Sequence, residues 1–433
     1  MKFLVMRRIV YYAKALILMA VFVGCGMSYK GNLLGTLDRP IWYHIMPYGM
    51  VYVPTGTLHI GPGDQDVNFA LVQRSKQVSI PGFYMDDTEI SNNEYRQFVE
   101  YIRDSIAHKL IGDEHIIETD QGTEMIDWSV RIRWDDEETQ ELIEELYYPE
   151  EERFWGSKKI DPRKLNYEYS WVDLLQASKN KIKERNGEST IERKDLIKTK
   201  TINVYPDTLV WIRDFSYAYN EPMARNYFSH PAYDNYPVVG ISWVQATAFS
   251  IWRTRLFADW RSYIGETRAD EFRLPTEFEW EYAARGGKKL SPFPWGGPYV
   301  RNGKGCILAN FKPGRGNYPD DGGLYTVKVN SYWANDFGLY NMSGNVAEWT
   351  ANAFEENVNS FEHDFNPDYR YDAQDDDPIT LKRKVIRGGS WKDISYYMHT
   401  GTRSYEYQDT TKSYIGFRCV MSFLGRSIND GIN

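Results

Sequence analysis

The chain has 433 residues, a formal net charge of −9 and 15% aromatic residues, including 33 Tyr and 14 Trp. That length is enough to bury a large core, and the negative balance argues against a nucleic-acid partner. So many rings suit a loop-rich fold in which aromatic packing with polar ends braces irregular backbone.

Lys2, Arg7, Arg8 and Lys14 precede an apolar stretch, Ala15–Gly24, that is too short to span a bilayer comfortably as a helix. Cys25 follows at once. The pattern resembles a bacterial lipoprotein signal, although Phe22 stands where Leu is commoner. The expectation is a signal peptide over 1–24, a lipid-modified Cys25, a tether over 25–48 and an outer-membrane anchor facing the periplasm. More than one acyl chain on Cys25 would hold stably. A plain secretory signal or an uncleaved anchor are the alternatives. The other cysteines, Cys306 and Cys419, either pair or stay as free thiols, and no pair has the C-x-x-C spacing of a zinc or redox motif.

From Tyr48 to Gly61 the chain alternates apolar with small or polar residues around Pro54-Thr55-Gly56, which reads as strand, turn and strand. Residues 78–86 read as another short strand. Ser91 and Glu94 form a capping box that opens a helix through about Arg103, with Tyr95, Phe98, Val99 and Ile102 on one face. From about 104 to 207 the character changes. Asp135–Glu152 holds ten acids and no Lys or Arg, and Lys179–Lys200 holds eight basic residues against four acids. With Trp128, Trp134, Trp155 and Trp171 between them, this reads as a partly helical insertion. It is either a contact surface with opposite-signed patches or a solvated excursion. Capping boxes at Ser242/Gln245 and Thr276/Glu279 open two further helices, through about Phe257 and Ala284, the second stopped by Gly286-Gly287. A second acidic insertion spans about 351–385. The seven histidines show no ligand spacing. Arg387, Arg403 and Arg418 suit either the rim of a substrate cleft or the bracing of aromatic-rich loops.

Residues 338–349 gather Gly338, Asn341, Gly344, Asn345, Glu348 and Trp349. Glycines permit tight turns, and Asn and Glu offer oxygen ligands of the kind a hard cation takes. A plain Asn/Gly turn is the other reading.

Seven ordered blocks together resemble the formylglycine-generating-enzyme (sulfatase-modifying factor) family: residues 49–57, 89–95, 237–243, 273–287, 338–349, 387–391 and 416–419. The resemblance covers about 49–424 outside the two insertions. It implies a single irregular, loop-rich α/β (α+β) domain of the C-type-lectin-like kind. It also implies two calcium sites, one at Asn341, Gly344, Val346 and Glu348, the other at Asn310, Phe311, Asp321 and Gly323. In the family enzyme, two copper-binding cysteines lie three and eight residues after the Ser of Gly-Gly-Ser. Counted from Ser390, those positions hold Asp393 and Met398, which supply no thiolate, so copper and the peptide-oxidase reaction are not expected. The lipoprotein signal, the length and block 51–64 are similar to the non-catalytic family members of the type IX secretion and gliding-motility machinery. That similarity implies a periplasmic ring of self-associated copies built with a GldN/PorN-type partner. A divergent peptide oxidase and a lectin-like cell-envelope binder are the competing functions.

Overall fold

The alternating stretch around Pro54 folds as two strands that go to different sheets. β1 (Met50–Val53) and β2 (Gly56–Ile60) are not paired with each other. β2 pairs antiparallel with β3 (Lys76–Ile80), and β1 with β4 (Phe83–Asp86). Pro81-Gly82 splits the expected strand 78–86 into β3 and β4. Proline has no N–H to give to a ladder. A Cβ on Gly82 would come within 2.9 Å of the Tyr52 hydroxyl, which would have to shift to admit a side chain here. The computed structural model describes residues 43–61, 75–118, 122, 124–188, 190–214 and 223–425. The expected signal segment, Cys25 and the expected tether up to residue 42 lie outside them.

α1 (Asn92–Ile111) starts at the expected capping box, with both reciprocal bonds formed between Ser91 and Glu94. Tyr95, Phe98, Val99 and Ile102 are buried as their spacing requires. The helix continues two turns past Arg103 because Ala107 and His108 are buried as well. It leads into a small hairpin, β5 (Ile116–Glu118) with β6 (Glu124–Ile126).

The first charged insertion is rooted in the core. β7 (Asn166–Val172) and β8 (Ile197–Asn203) form a seven-pair antiparallel hairpin. On one face Tyr167 and Tyr169 are buried in the main apolar cluster, where Tyr167 meets Phe98 edge-on at 5.4 Å. Ile143 and Leu146, inside the acidic run, enter the same cluster. The tips remain solvated. α2 (Leu174–Arg185), between the two strands, buries no residue and exposes Leu174, Leu175 and Ile182. Phe154 and Trp155 stack on each other at 4.8 Å in the open.

α3 (Trp243–Tyr263), opened by Ser242 and Gln245, outlasts its expected end at Phe257. It lies against α1, with Tyr95 stacked on Phe249 at 5.6 Å and Phe98 against Trp252 at 5.1 Å. β9 (Phe272–Arg273) precedes α4 (Glu277–Arg285), which is capped by Thr276 and stopped at Gly286 in the left-handed region (φ +56°). No strand or α-helix occurs from 287 to 346. β10 (Ala347–Ala353) follows, buried along its whole length, then β11 (Arg383–Arg387), β12 (Ser404–Tyr407), β13 (Ile415–Gly416) and β14 (Val420–Ser422). Two four-stranded sheets result, ordered β1-β4-β14-β9 and β12-β11-β10-β13, the latter with a parallel β10–β13 pair. The architecture is thus the expected mixed α/β fold of few helices, small sheets and long loops. From His44 onward the described residues form one compact unit. None of their helices is long and apolar enough to cross a membrane.

Buried arginines hold the loops to α4. Arg403 Nε donates to Glu277 Oε2 at 2.6 Å. Arg387 bonds Glu281 at 3.0 Å and Glu277 at 3.3 Å, and Arg273 forms a two-pronged pair with Glu279 at 2.7 Å. The two remaining cysteines are not joined: Cys306 is exposed, and Cys419 is buried with its Sγ 3.4 Å from the Ser250 hydroxyl.

Candidate functional site

The turn 338–346 is built from backbone that ordinary residues avoid. Gly338, Asn341, Gly344 and Asn345 all have positive φ, and Asn is the side chain that best tolerates this region after Gly. At Gly344 a Cβ would stand 2.3 Å from the Asn310 carbonyl oxygen, so this position requires glycine. The turn delivers three polar side chains inward. Asn341 Nδ2 donates to Glu89 Oε2 at 3.0 Å and to the Val329 carbonyl at 2.9 Å. Asn345 Nδ2 donates to Glu89 Oε1 at 2.9 Å. Glu348, on β10, accepts from Arg418 Nε at 2.8 Å, from Arg418 Nη2 at 2.7 Å and from Trp280 Nε1 at 2.7 Å. Val346 turns its side chain into an apolar cluster with Trp391 and Trp211.

Glu89 is fully buried, and no feature of its sequence block singled it out as a site residue. Burial pushes its carboxyl up to about 8, against the opposing pull of Arg418 and the two asparagine amides. The only signal available in the sequence was its place two residues ahead of the capping serine. That place does not reveal that the side chain points into a polar centre.

The second oxygen-rich set is continuous with the first. Asp321 accepts from the Phe311 N–H at 2.7 Å and the Gly323 N–H at 3.0 Å. Gly323 lies over Asn310, whose Oδ1 would be 2.9 Å from a Cβ there. Asn310 Nδ2 donates to the Tyr325 carbonyl at 2.8 Å and to Asn345 Oδ1 at 3.2 Å, and its own carbonyl accepts from the Asn345 N–H at 2.8 Å. Half-burial raises the Asp321 carboxyl above the usual carboxylate range, helped by Asp320 and opposed by the backbone donors. All eight residues expected at the two sites therefore lie in one set of interlocked loops. Asn310 and Asn345 bridge the two halves.

Asp393 stands beside this centre on the loop after Gly388-Gly389. Ser390 Oγ donates to its Oδ2 at 2.6 Å, and burial raises its carboxyl. It lines a cavity of about 200 Å³ with Arg387, Tyr397, Tyr405 and Tyr414 among the walls. Met398 is fully buried and packs with Phe293, Ile307 and Phe311. The loop between them is drawn tight: a Cβ on Gly389 would be 2.8 Å from the Tyr397 carbonyl group. A carboxylic acid and an apolar-packed thioether thus occupy the two positions that the resemblance assigned to cysteines. The buried thiol of Cys419 is pushed up to about 12 by desolvation, which keeps it protonated.

Sequence spacing also hid a histidine contact. His108 at the end of α1 and His115 before β5 bring their Nδ1 atoms to 2.7 Å, with His108 lowered by burial and by its neighbour's charge.

An irregular α/β frame with small sheets, an Asn/Gly centre and a Gly-Gly-Ser-Trp loop beside it defines a specific class of domain. Residues 44–423 match the sulfatase-modifying factor enzyme 1-like domain, and the chain belongs to that family. It is 34% identical over 196 residues to the formylglycine-generating enzyme of Mus musculus, covering 44% of this chain and 45% of that one. It is 32% identical over 191 residues to a Bos taurus protein named inactive C-alpha-formylglycine-generating enzyme 2, covering 43% and 50%. The alignment spans about half the length of these curated relatives. Among solved structures, PvdO from Pseudomonas aeruginosa aligns over 86% of this chain and 94% of its own, at 16% identity and a TM-score of 0.46.

Proposed function

We propose that this chain is a non-catalytic scaffold of the type IX secretion and gliding-motility machinery, of the GldK (PorK) kind. In this reading it is anchored through Cys25 on the periplasmic face of the outer membrane. It assembles with copies of itself and a GldN/PorN-like partner into a ring. One observation carries the loss of catalysis: the paired thiol positions hold Asp393, hydrogen-bonded to Ser390, and Met398, sealed in an apolar cluster. Neither side chain supplies the thiolate that copper-dependent oxidation needs. A relative whose name carries the word inactive fits this reading. Assembly is supported by the first insertion. Its root is packed into the core, so its tips are presented on a firm base. The tips offer Phe154 and Trp155 beside the acidic run, and an α2 with four basic residues and three exposed aliphatic ones. Opposite charges around apolar anchors suit contacts between copies or with a partner.

Calcium has a structural place in the same reading. Among the described residues the Asp321 carboxylate meets backbone donors and no ion-pairing cation, so the second set suits a hard cation. In the first set the Glu348 charge is already matched by Arg418, leaving the Asn341 amide oxygen and the carbonyls of Gly344 and Val346. A bound ion would tie the 310–323 loop to the 338–346 turn and take no part in chemistry. Copper has no thiolate to hold it.

The test is to tag the protein in its own cells, extract it in mild detergent, and measure the size and composition of the complex beside a variant lacking 135–152. The expected result is a large homo-oligomer containing the partner, disrupted or reduced in the deletion. A monomer without partners that turns over a Cys-containing peptide with copper would overturn the scaffold reading.

A further inference from the structure

A second and larger cavity, about 310 Å³, opens where the β7–β8 hairpin meets the foot of the other charged insertion, and it shares no wall with the cavity beside Asp393. Tyr169 and Trp171 come from the hairpin, Trp243 from the start of α3, Lys384 from β11, and Gln408 from just after β12. Both insertions therefore contribute to it, and the loop that carries Asp393 does not. Its volume is at the lower end of what small-ligand sites need.

The polar groups in its wall are incompletely satisfied. Lys384 is 1% exposed, yet its Nζ makes one hydrogen bond, to the Tyr371 carbonyl at 2.7 Å, and sits 3.9 Å above the Trp243 ring. Among the described residues no carboxylate is within ion-pair distance of it, and two of its three donors stay open. Gln408 is equally buried, and its Oε1 has no partner among the described residues. A buried charge without a counter-charge and a buried acceptor without a donor are both costly. The other cations nearby do not change this. Arg273 is taken by Glu279 and Arg370 by Asp368, while Lys200 on β8 has no ion pair among the described residues and adds positive charge; of the two carboxylates in the wall, Glu271 faces Arg268 and Asp372 lies beyond ion-pair distance of Lys384.

A purely structural account would make Lys384 a staple that holds residue 371 to β11. That accounts for one hydrogen bond. It leaves the aromatic walls, the open volume and the Gln408 oxygen without a role.

We infer that this cavity is a binding site for a small carboxylate with a flat apolar body and an N–H or O–H donor, such as an aryl- or indolyl-alkanoic acid. The carboxylate accepts from Lys384 Nζ. The ring stacks against Trp243 with Trp171 and Tyr169 around it, and the donor reaches Gln408 Oε1. The cavity then serves as a ligand site at the base of the assembly surface, independent of whether that surface builds a ring.

Desolvation lowers Lys384 to about 8, with Asp372 and Asp409 supporting its charge and Arg370 and Lys200 opposing it. The ammonium is the form that binds an anion, so affinity falls as pH rises through about 8, and binding takes up protons near that pH.

Calorimetric titration of the full chain with indole-3-acetate and 4-hydroxyphenylacetate tests the inference, with tryptamine as the cationic control. At pH 7 the acids are expected to bind at least tenfold tighter than tryptamine and to weaken severalfold by pH 9. Lys384→Met, which keeps the stem over Trp243, is expected to lose at least tenfold. If that variant does not fold, Trp171→Ala provides the second reading, with at least a fivefold loss expected at an unchanged melting temperature. The inference is overturned if neither acid saturates at millimolar concentration, if tryptamine binds as well as the acids, or if both folded variants bind like the parent chain.

Discussion

Arg418→Met tests whether the polar centre is held by charge pairing. Arg418 is fully buried, and its guanidinium bonds both oxygens of Glu348 and the carbonyls of Asp86, Asp87 and Tyr340. It also draws down the Glu89 carboxyl. Methionine fills much of the volume but leaves Glu348 buried with only the Trp280 N–H as a charge-stabilising donor. Removing one partner of a buried pair costs about 3–5 kcal/mol. A domain of roughly 400 residues has an unfolding entropy near ~0.8 kcal/mol/K, so a loss of about 4 kcal/mol lowers Tm by about 5 °C. Urea unfolding followed by tryptophan fluorescence gives the loss directly. Adding Glu348→Gln to Arg418→Met removes the orphaned charge while keeping an acceptor for Trp280, so the double variant is expected to recover at least ~1 kcal/mol relative to the sum of the singles. A loss below about 1 kcal/mol at pH 7.5, or additivity of the two changes within ~0.5 kcal/mol, would refute the pairing argument.

Glu89 and Asp321 make two further predictions. The folded-state carboxyl of Glu89 is raised to about 8 from 4.5, so the folded chain holds a proton that the unfolded chain has released. Its stabilising contribution is complete below about 4.5 and is lost as pH rises through about 8, at up to ~1.4 kcal/mol per pH unit. Glu89→Gln should flatten that slope in denaturant melts between pH 5 and 8, and an unchanged slope would assign it to other groups. For Asp321, calcium at 100 times its Kd would stabilise the parent chain by about 2.7 kcal/mol. EDTA should remove that gain, and Asp321→Asn should abolish it. A melting temperature of the parent chain indifferent to calcium and chelator sinks the calcium proposal.

Local rules carried the elements whose cause is local. Three capping boxes fixed three helix starts, because a side chain three residues away satisfies those backbone groups, and Gly286 fixed one stop by taking the left-handed backbone there. Helix ends were less legible. α1 and α3 run on past Arg103 and Phe257 because tertiary partners bury residues that local periodicity did not include. Strand pairing was also hidden. The Pro-Thr-Gly segment looks like a hairpin turn, yet β1 and β2 part because β1 pairs with β4, whose other edge is taken by β14 from the end of the chain. At the site, the αL backbone of Asn341 and Asn345 was implicit in the Asn/Gly pattern. The burial of Glu89 some 250 residues earlier was not, since only the folded chain brings its block beside the turn. The Lys384 cavity was hidden for the same reason, and the histidine contact because its seven-residue spacing crosses the end of α1.

The placement of charge explains why this frame and its chemistry can separate. Arg273, Arg387, Arg403 and Arg418 are each tied to buried glutamates that span α4, β10 and the loops. Losing Arg418 or Arg273 strips Glu348 or Glu279 of its ion-pair partner, at a cost of several kcal/mol, whereas Glu277 and Glu281 are each held by a second arginine. Positions 393 and 398 bear no such load. Residue 393 borders a cavity and is held by one hydrogen bond from Ser390. Residue 398 fills an apolar cluster, where methionine packs better than a small thiol would. Exchanging both leaves the network of arginines, glutamates and asparagines untouched. The fold therefore persists whether or not the reaction does, and family membership alone says little about catalysis. Measuring copper affinity and stability side by side in the Asp393→Cys/Met398→Cys variant would separate the two properties, because the frame argument requires stability to change far less than it does in Arg418→Met.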